Sequence, residues 1–176
     1  MKPLKTEVAF ATPWFELVAK TVNANEAPYY SLRLPDYAVT IAITVEGRIL
    51  AVRQYRPALE RYTVELPSGL VDANEDPAES ARRELLEETG WQADAVEPLG
   101  PMFPDNGRLS NRIWSFLARG VRRAKGSEPE SGIEVLSYSP EELTRAIAGG
   151  EFDHALHVAA LLLAVLKGAP DLLALG

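Results

Sequence analysis

Cysteine is absent from this 176-residue chain. Disulfides, thiolate metal sites and a cysteine nucleophile are therefore excluded. Histidine is scarce. With only His154 and His157, one chain cannot build a three-histidine zinc site. Long apolar runs are missing too. The longest, Val158 to Leu166, is about half of a membrane span. The opening stretch MKPLKTEVAFATPWF holds no apolar run of signal-peptide length. A cytoplasmic protein with no membrane partner is the expectation. Basic residues are outnumbered, 18 Lys+Arg against 25 Asp+Glu, for a net charge of −7. A surface of that sign repels nucleic acid and anionic lipid unless a metal or a basic patch intervenes. No nucleic-acid partner is expected.

What is present is ordinary for one globular core: 47% hydrophobic and 24% charged residues. Thirteen prolines and 12 glycines point to many turns and away from a helical bundle. Residues 5–34 alternate loosely and read as short strands, interrupted by Pro13 and the polar segment NANEAP. Stronger strands follow at Ala38 to Val45 and Ile49 to Tyr55, joined by a Glu46-Gly47 turn. Tyr62 to Leu66 is another short strand.

Then the period changes. Asp76 caps a helix, Pro77 occupies its first position, and Glu79 completes a capping box. Ala78, Ala81 and Leu85 form a narrow apolar stripe at helical spacing, and Gly90 ends the helix. Strands resume near Ala95 to Leu99, Ile113 to Ala118 and Ile133 to Tyr138. Ser139-Pro140 with Glu142 opens a second helix by the same device. Asp153 is the expected cap of a third, which ends at Lys167-Gly168 and is apolar on most sides. A helix of that kind is expected to be covered on more than one side. The fold class is α/β of the α+β kind: strands, a helix, more strands, then helices.

The segment GLVDANEDPAESARRELLEETGW, Gly69 to Trp91, carries the chemistry. Glu84, Glu87 and Glu88 lie three and four residues apart, on one helical face. Carboxylates so placed repel one another unless a cation compensates. Hard divalent ions take oxygen ligands, and Mg²⁺ commonly shares itself with substrate phosphates. Glu75 offers one more carboxylate, and Arg83 stands four residues before Glu87, at salt-bridge spacing. An arbitrary Glu-rich helix is usually a solvated surface. Here the spacing continues: Gly69, five residues, Glu75, seven residues, Arg83-Glu84-Leu85, then Glu87-Glu88 and Gly90 before bulky Trp91. Leaving out the apolar Leu85 and Trp91, the seven fixed positions match by chance on the order of once in 10⁸ trials.

That spacing resembles the signature of the Nudix hydrolases. The run VRQYRPALERYTVELPSG, Val52 to Gly69, is similar to the approach to this box in the branch that hydrolyses ADP-ribose and other nucleoside diphosphate sugars. Pro104 with DNGRLSNR after it, the IEV of Ile133 to Val135, and the GEFDHALHVAALLLA tail resemble that branch too. The likeness spans roughly Tyr37 to Leu166. It implies a Nudix-like mixed sheet sandwiched between helices, with residues 37–176 as the hydrolase domain. Residues 1–36 would be a β-rich arm that pairs two chains into a homodimer.

The resemblance implies Mg²⁺, with Mn²⁺ as a substitute, held by Glu84, Glu87 and Glu88 and by the backbone carbonyl of Ser68. Glu75 matches an acid of structural or outer-shell role, and Arg83 the arginine that holds the glutamates in place. Arg56, Trp14 and Leu70 are the implied substrate contacts. Trp14 has packing in a core or dimer interface as its alternative. The turn at Asp105, Asn106 and Gly107 either faces the substrate or is a plain turn. His154 and His157 are expected to pack and not to bind metal. In this branch a loop glutamate before the IEV strand activates the attacking water. Counting back from Ile133, Ser131 stands at that position. Glu130 lies one residue earlier and Glu128 three. Glu130 is the expected base after a small loop shift, with Glu87 as the alternative.

The implied reaction is Mg²⁺-dependent hydrolysis of the diphosphate of ADP-ribose, giving AMP and ribose 5-phosphate. The alternatives are another nucleoside diphosphate derivative (GDP-mannose, a dinucleotide or an oxidised dNTP) and a sensor that binds a nucleotide sugar without hydrolysing it.

Overall fold

The computed structural model describes residues 2–175. It is a mixed sheet with helices on both faces, preceded by a separate three-stranded sheet. The first sheet holds β1 (Lys5–Ala11), β2 (Glu16–Thr21) and β3 (Tyr29–Arg33), all antiparallel. The expected strands of the arm are therefore present, with breaks at Pro13 and at NANEAP.

The larger sheet is built from β4 (Tyr37–Thr44), β5 (Ile49–Arg56), β6 (Arg61–Glu65) and β7 (Ser68–Leu70), then β8 (Trp91–Gln92), β9 (Glu97–Met102), β10 (Ile113–Arg123) and β11 (Glu134–Tyr138). Its main order is β11-β5-β4-β10-β8, with β6 beside β5, β7 beside β4 and β9 beside β10. Among the described strands of this sheet, only β4 and β10 pair in parallel. The helices are α1 (Pro77–Thr89), α2 (Pro140–Gly149) and α3 (Ala155–Leu166).

The alternation of β4 decides which helix lies on which face. Val39 and Ile41 join the core under α2 and α3, with Leu143, Phe152, Leu161 and Ala164. Ala38, Thr40 and Ala42 face α1, where Ala81 and Leu85 are fully buried. Small side chains on that side let α1 approach closely, and the Thr40 hydroxyl donates to the Ala81 carbonyl at 3.1 Å. Burying Leu85 there contributes about 2 kcal/mol.

Two local expectations need correction. Asp76 does cap α1, accepting from the Ala78 N–H at 2.8 Å, but Glu79 completes no capping box. Its carboxylate pairs with Arg82, three residues on. The cap of α3 is His154, not Asp153. Arg61 draws the Asp153 carboxylate away at 2.5 Å. As expected, α3 is covered on more than one side: Leu156, Val158, Leu163 and Val165 pack against the core on its flanks, and one stripe stays open, with Leu162 at 49% and Leu166 at 75% exposure. By contrast, α2 has the full reciprocal box of Ser139 and Glu142, and Gly90 ends α1 in the left-handed region at φ 71°. No helix is long and apolar enough to cross a membrane among the described residues.

Candidate metal centre on α1

The site lies where β7 meets the second half of α1. β7 pairs with β4, placing Ser68 opposite Val39 and Gly69 opposite Ala38. The α1 residues Ala81 and Leu85 face the sheet, so Glu84 and Glu88, one helical turn apart, face β7. Glu88 is only 6% exposed, and its carboxylate accepts the Ser68 N–H at 2.8 Å. A Cβ built on Gly69 would overlap the Glu84 carboxylate, so only glycine admits that side chain here.

Arg83 organises the outer edge. Its guanidinium meets Glu84 at 2.6 Å and Glu87 at 3.1 Å. It is bonded to both oxygens of Glu75, at 3.1 and 3.0 Å, and donates to the Leu70 carbonyl at 3.1 Å. Hydrogen bonds from Arg83 and Ser80 hold the Glu75 carboxyl down to about 2. Glu75 is thus an anchor for Arg83. Leu70 takes part through its carbonyl, and its side chain is exposed.

The carboxylates facing β7 behave oppositely. Burial pushes Glu84 up, with Glu87 and Glu130 adding repulsion against the attraction of Arg83. Burial pushes Glu88 up to about 8, helped by the charges of Glu84 and Glu65 and opposed by the Ser68 N–H and Arg56. Two inward carboxylates that resist ionising together form an electrostatic deficit that a cation relieves. The donors are all oxygen: Glu84, Glu88, the half-exposed Glu87 and the Ser68 carbonyl. Such a set suits a hard divalent cation, and the glycine cradle at residue 69 leaves room for the carboxylate to turn toward one.

Gly69→Ala gives a direct check. The Gly69 φ is not in the left-handed region, so the backbone accepts alanine, and only the mobile end of Glu84 must move. We expect a melting temperature within a few degrees of the wild type and about 10²-fold lower kcat/KM, as for a ligand misplaced by about 1 Å. Paired thermal melts and steady-state kinetics read both.

Glu130 is brought to the cluster. Its backbone N–H donates to the Glu87 carbonyl at 2.9 Å, and its charge is felt by Glu84. Glu128 turns outward, at 3.9 Å from Arg123. Arg56 ends β5 and is clamped by Glu65 through two hydrogen bonds of 2.8 and 2.7 Å. It lines a cleft of about 430 Å³ with Leu59, Thr63, Glu65 and His154. Trp14 is not brought to this cluster: it lies in the turn between β1 and β2, 72% exposed. Asp105 accepts the Gly107 N–H at 2.7 Å, a plain turn, and Tyr29 donates to the Gly107 carbonyl.

Sequence reasoning missed Glu65. Burial works to raise its pKa, but hydrogen bonds from Arg56 and Thr63 win and lower it to about 2. The signal was a lone acid inside the apolar run TVEL. Glu65 also brings an acid beside the two histidines. Ligand atoms of Glu65, His154 and His157 lie within 4.8 Å of one another. Arg56 and Thr63 already hold Glu65, and Leu66 donates to His157 Nδ1 at 3.0 Å, while His157 Nε2 has no partner among the described residues.

Known proteins agree with this architecture. The methanol dehydrogenase activator of Bacillus methanolicus is 31% identical over 152 residues, 83% of this chain and 82% of that protein. The ADP-ribose pyrophosphatase of Bacillus subtilis is 26% identical over 85% of this chain and 84% of its own. A crystal structure of an ADP compounds hydrolase matches with a TM-score of 0.77, covering 96% of each chain at 23% identity, which is a likeness of fold. Residues 34–161, most of the chain and all of the cluster on α1, match the NUDIX domain model, and the chain belongs to that family.

Proposed function

We propose that this protein is a Nudix pyrophosphohydrolase that cleaves the diphosphate of a nucleoside diphosphate sugar, ADP-ribose first among them, giving AMP and ribose 5-phosphate. The observation that carries the reading is the pair of buried carboxylates, Glu84 and Glu88, turned onto Ser68 and Gly69 in the family's own spacing. The similarity to an ADP-ribose pyrophosphatase over 85% of the chain supports the choice of substrate.

The roles follow from position. Glu84, Glu87, Glu88 and the Ser68 carbonyl would hold Mg²⁺, or Mn²⁺ in its place. The bound cation would neutralise phosphate oxygens and favour in-line attack by water. Arg83, fixed by Glu75, sets the rotamers of Glu84 and Glu87. Glu130 takes the proton of the attacking water as a new P–O bond forms and the bridging P–O bond breaks; the leaving phosphate keeps that bond's electrons. Arg56, oriented by Glu65, leaves Nη1 unused by the clamp and presents it to a phosphate or ribose oxygen. Intact ligands favour an enzyme over a sensor.

The test is a panel of ADP-ribose, GDP-mannose, a dinucleotide and an oxidised dNTP, with Mg²⁺ or Mn²⁺ and detection of released nucleoside monophosphate. ADP-ribose is expected to give the highest kcat/KM. Tight binding without turnover for every member would contradict hydrolysis.

We assign residues 1–36 to a dimerisation arm and residues 37–176 to the hydrolase domain. Support comes from the apolar side chains the arm leaves in solvent, Phe10 at 58% and Trp14 among them. In the dimer Trp14 would reach the partner's site and stack on the base. Light scattering at micromolar concentration is expected to give about twice the 19.3 kDa chain mass. Val8→Glu with Phe10→Glu is expected to give monomers. A monomeric wild type contradicts the assignment.

A further inference from the structure

The chain between β6 and β7 is pinned at three consecutive residues by three different elements. The Leu66 N–H donates to His157 Nδ1 of α3 at 3.0 Å. The Pro67 carbonyl accepts from the Thr40 N–H of β4 at 2.9 Å. The Ser68 N–H donates to Glu88 of α1 at 2.8 Å. Of these, only the bond to α3 comes from a side chain outside the motif and on the opposite face of the sheet.

The tautomer of His157 is fixed by this bond. A backbone N–H can only donate, so Nδ1 is the acceptor and the proton of the neutral ring sits on Nε2. That Nε2 is buried and has no hydrogen-bond partner among the described residues, in a side chain 1% exposed. Burial keeps the ring neutral, pushing its pKa down to about 3, with His154 adding to the effect. The His154 ring stacks on it at 3.7 Å. A buried donor with no acceptor is unfavourable, and an aliphatic residue would suit this core better. What histidine adds is the acceptor for Leu66. The same tautomer argues against a metal on Nε2, since the metal would need that proton gone while Nδ1 stays an acceptor.

We propose that His157 is a positioning residue for the metal centre: its Nδ1 holds the Leu66 peptide and thereby sets where the Ser68 carbonyl points. This rests on the reading of Ser68 and the α1 glutamates as the cation site. Groups that orient ligands without touching the metal typically change metal affinity about 10-fold or more when lost.

The test is Mn²⁺ binding by the full-length protein without substrate, read from the free-ion electron paramagnetic resonance signal, in four proteins. His157→Asn keeps a carbonyl oxygen at the place of Nδ1. His157→Leu keeps bulk and removes the acceptor. His157→Gln moves the carbonyl out to the place of Nε2. We expect about 10-fold weaker Mn²⁺ binding for the Leu and Gln variants, and affinity within about twofold of wild type for the Asn variant. The half-saturating Mg²⁺ for hydrolysis should move in parallel, with kcat at saturating metal changed much less. Should His157→Leu fail to fold, the Asn and Gln pair decides alone. Wild-type affinity in the Gln variant, or an Asn variant as weak as Gln, overturns the inference while the metal centre stands. A wild type that binds no Mn²⁺ overturns both.

Discussion

Glu88→Gln is expected to lower kcat for ADP-ribose about 10³-fold while the protein stays folded. The magnitude reflects several kcal/mol of charge stabilisation lost with one anionic ligand, at about 1.4 kcal/mol per tenfold. Retention of the fold follows from the contacts. The amide oxygen can still accept the Ser68 N–H, bonded to the carboxylate at 2.8 Å, and the volume is unchanged.

The same substitution has a signature in stability. The Glu88 pKa rises from 4.5 to about 8 because the carboxyl is buried. Between those values the metal-free native state holds a proton that the unfolded chain has released, so stability falls as pH rises. The contribution is fully present below about 4.5 and is lost as pH climbs through about 8. The melting temperature of the metal-free wild type should therefore drop more between pH 5 and pH 8 than that of Glu88→Gln. Saturating Mg²⁺ should recover the wild type at pH 8, because it binds the native, ionised site, and should help the variant less. Equal pH slopes in the two proteins would remove Glu88 as their source.

Glu130→Gln is the second large effect. A positioned general base typically contributes about 10²–10⁴-fold, and we expect a loss of about 10³-fold in kcat with KM little changed. Glu128→Gln, whose carboxylate faces Arg123 at 3.9 Å, should stay within about twofold of wild type. The distinction comes from the loop: the Glu130 N–H is tied to the Glu87 carbonyl at 2.9 Å, which seats residue 130 beside the cluster. A full-rate Glu130→Gln would pass the role to Glu87.

Much of this centre was legible in the sequence because it is local. Glu84, Glu87, Glu88 and Arg83 share one helix, and helical geometry alone sets their spacing. The strands of β4 and β5 were legible for the same reason, with alternation and a turn between them. What escaped depends on contacts between distant residues. Glu65 reaches Arg56 only through the register of β5 with β6. Arg61 reaches Asp153 across 92 residues, and His154 caps α3 in its place. The Glu79 error was different in kind. The capping-box spacing was present, but a competing arginine three residues on was just as local and took the carboxylate. The bond from Leu66 to His157 spans 91 residues and left no periodic trace at all.

We place the α1 glutamates and the Ser68 carbonyl around one kind of divalent cation at the diphosphate. Anomalous diffraction from crystals soaked with Mn²⁺ and a non-hydrolysable ADP-ribose analogue tests it most directly. A manganese peak is expected within ligand distance of Glu84, Glu88 and the Ser68 oxygen, with the diphosphate against it. A peak at Glu65, His154 and His157 instead, or none beside α1, would contradict it.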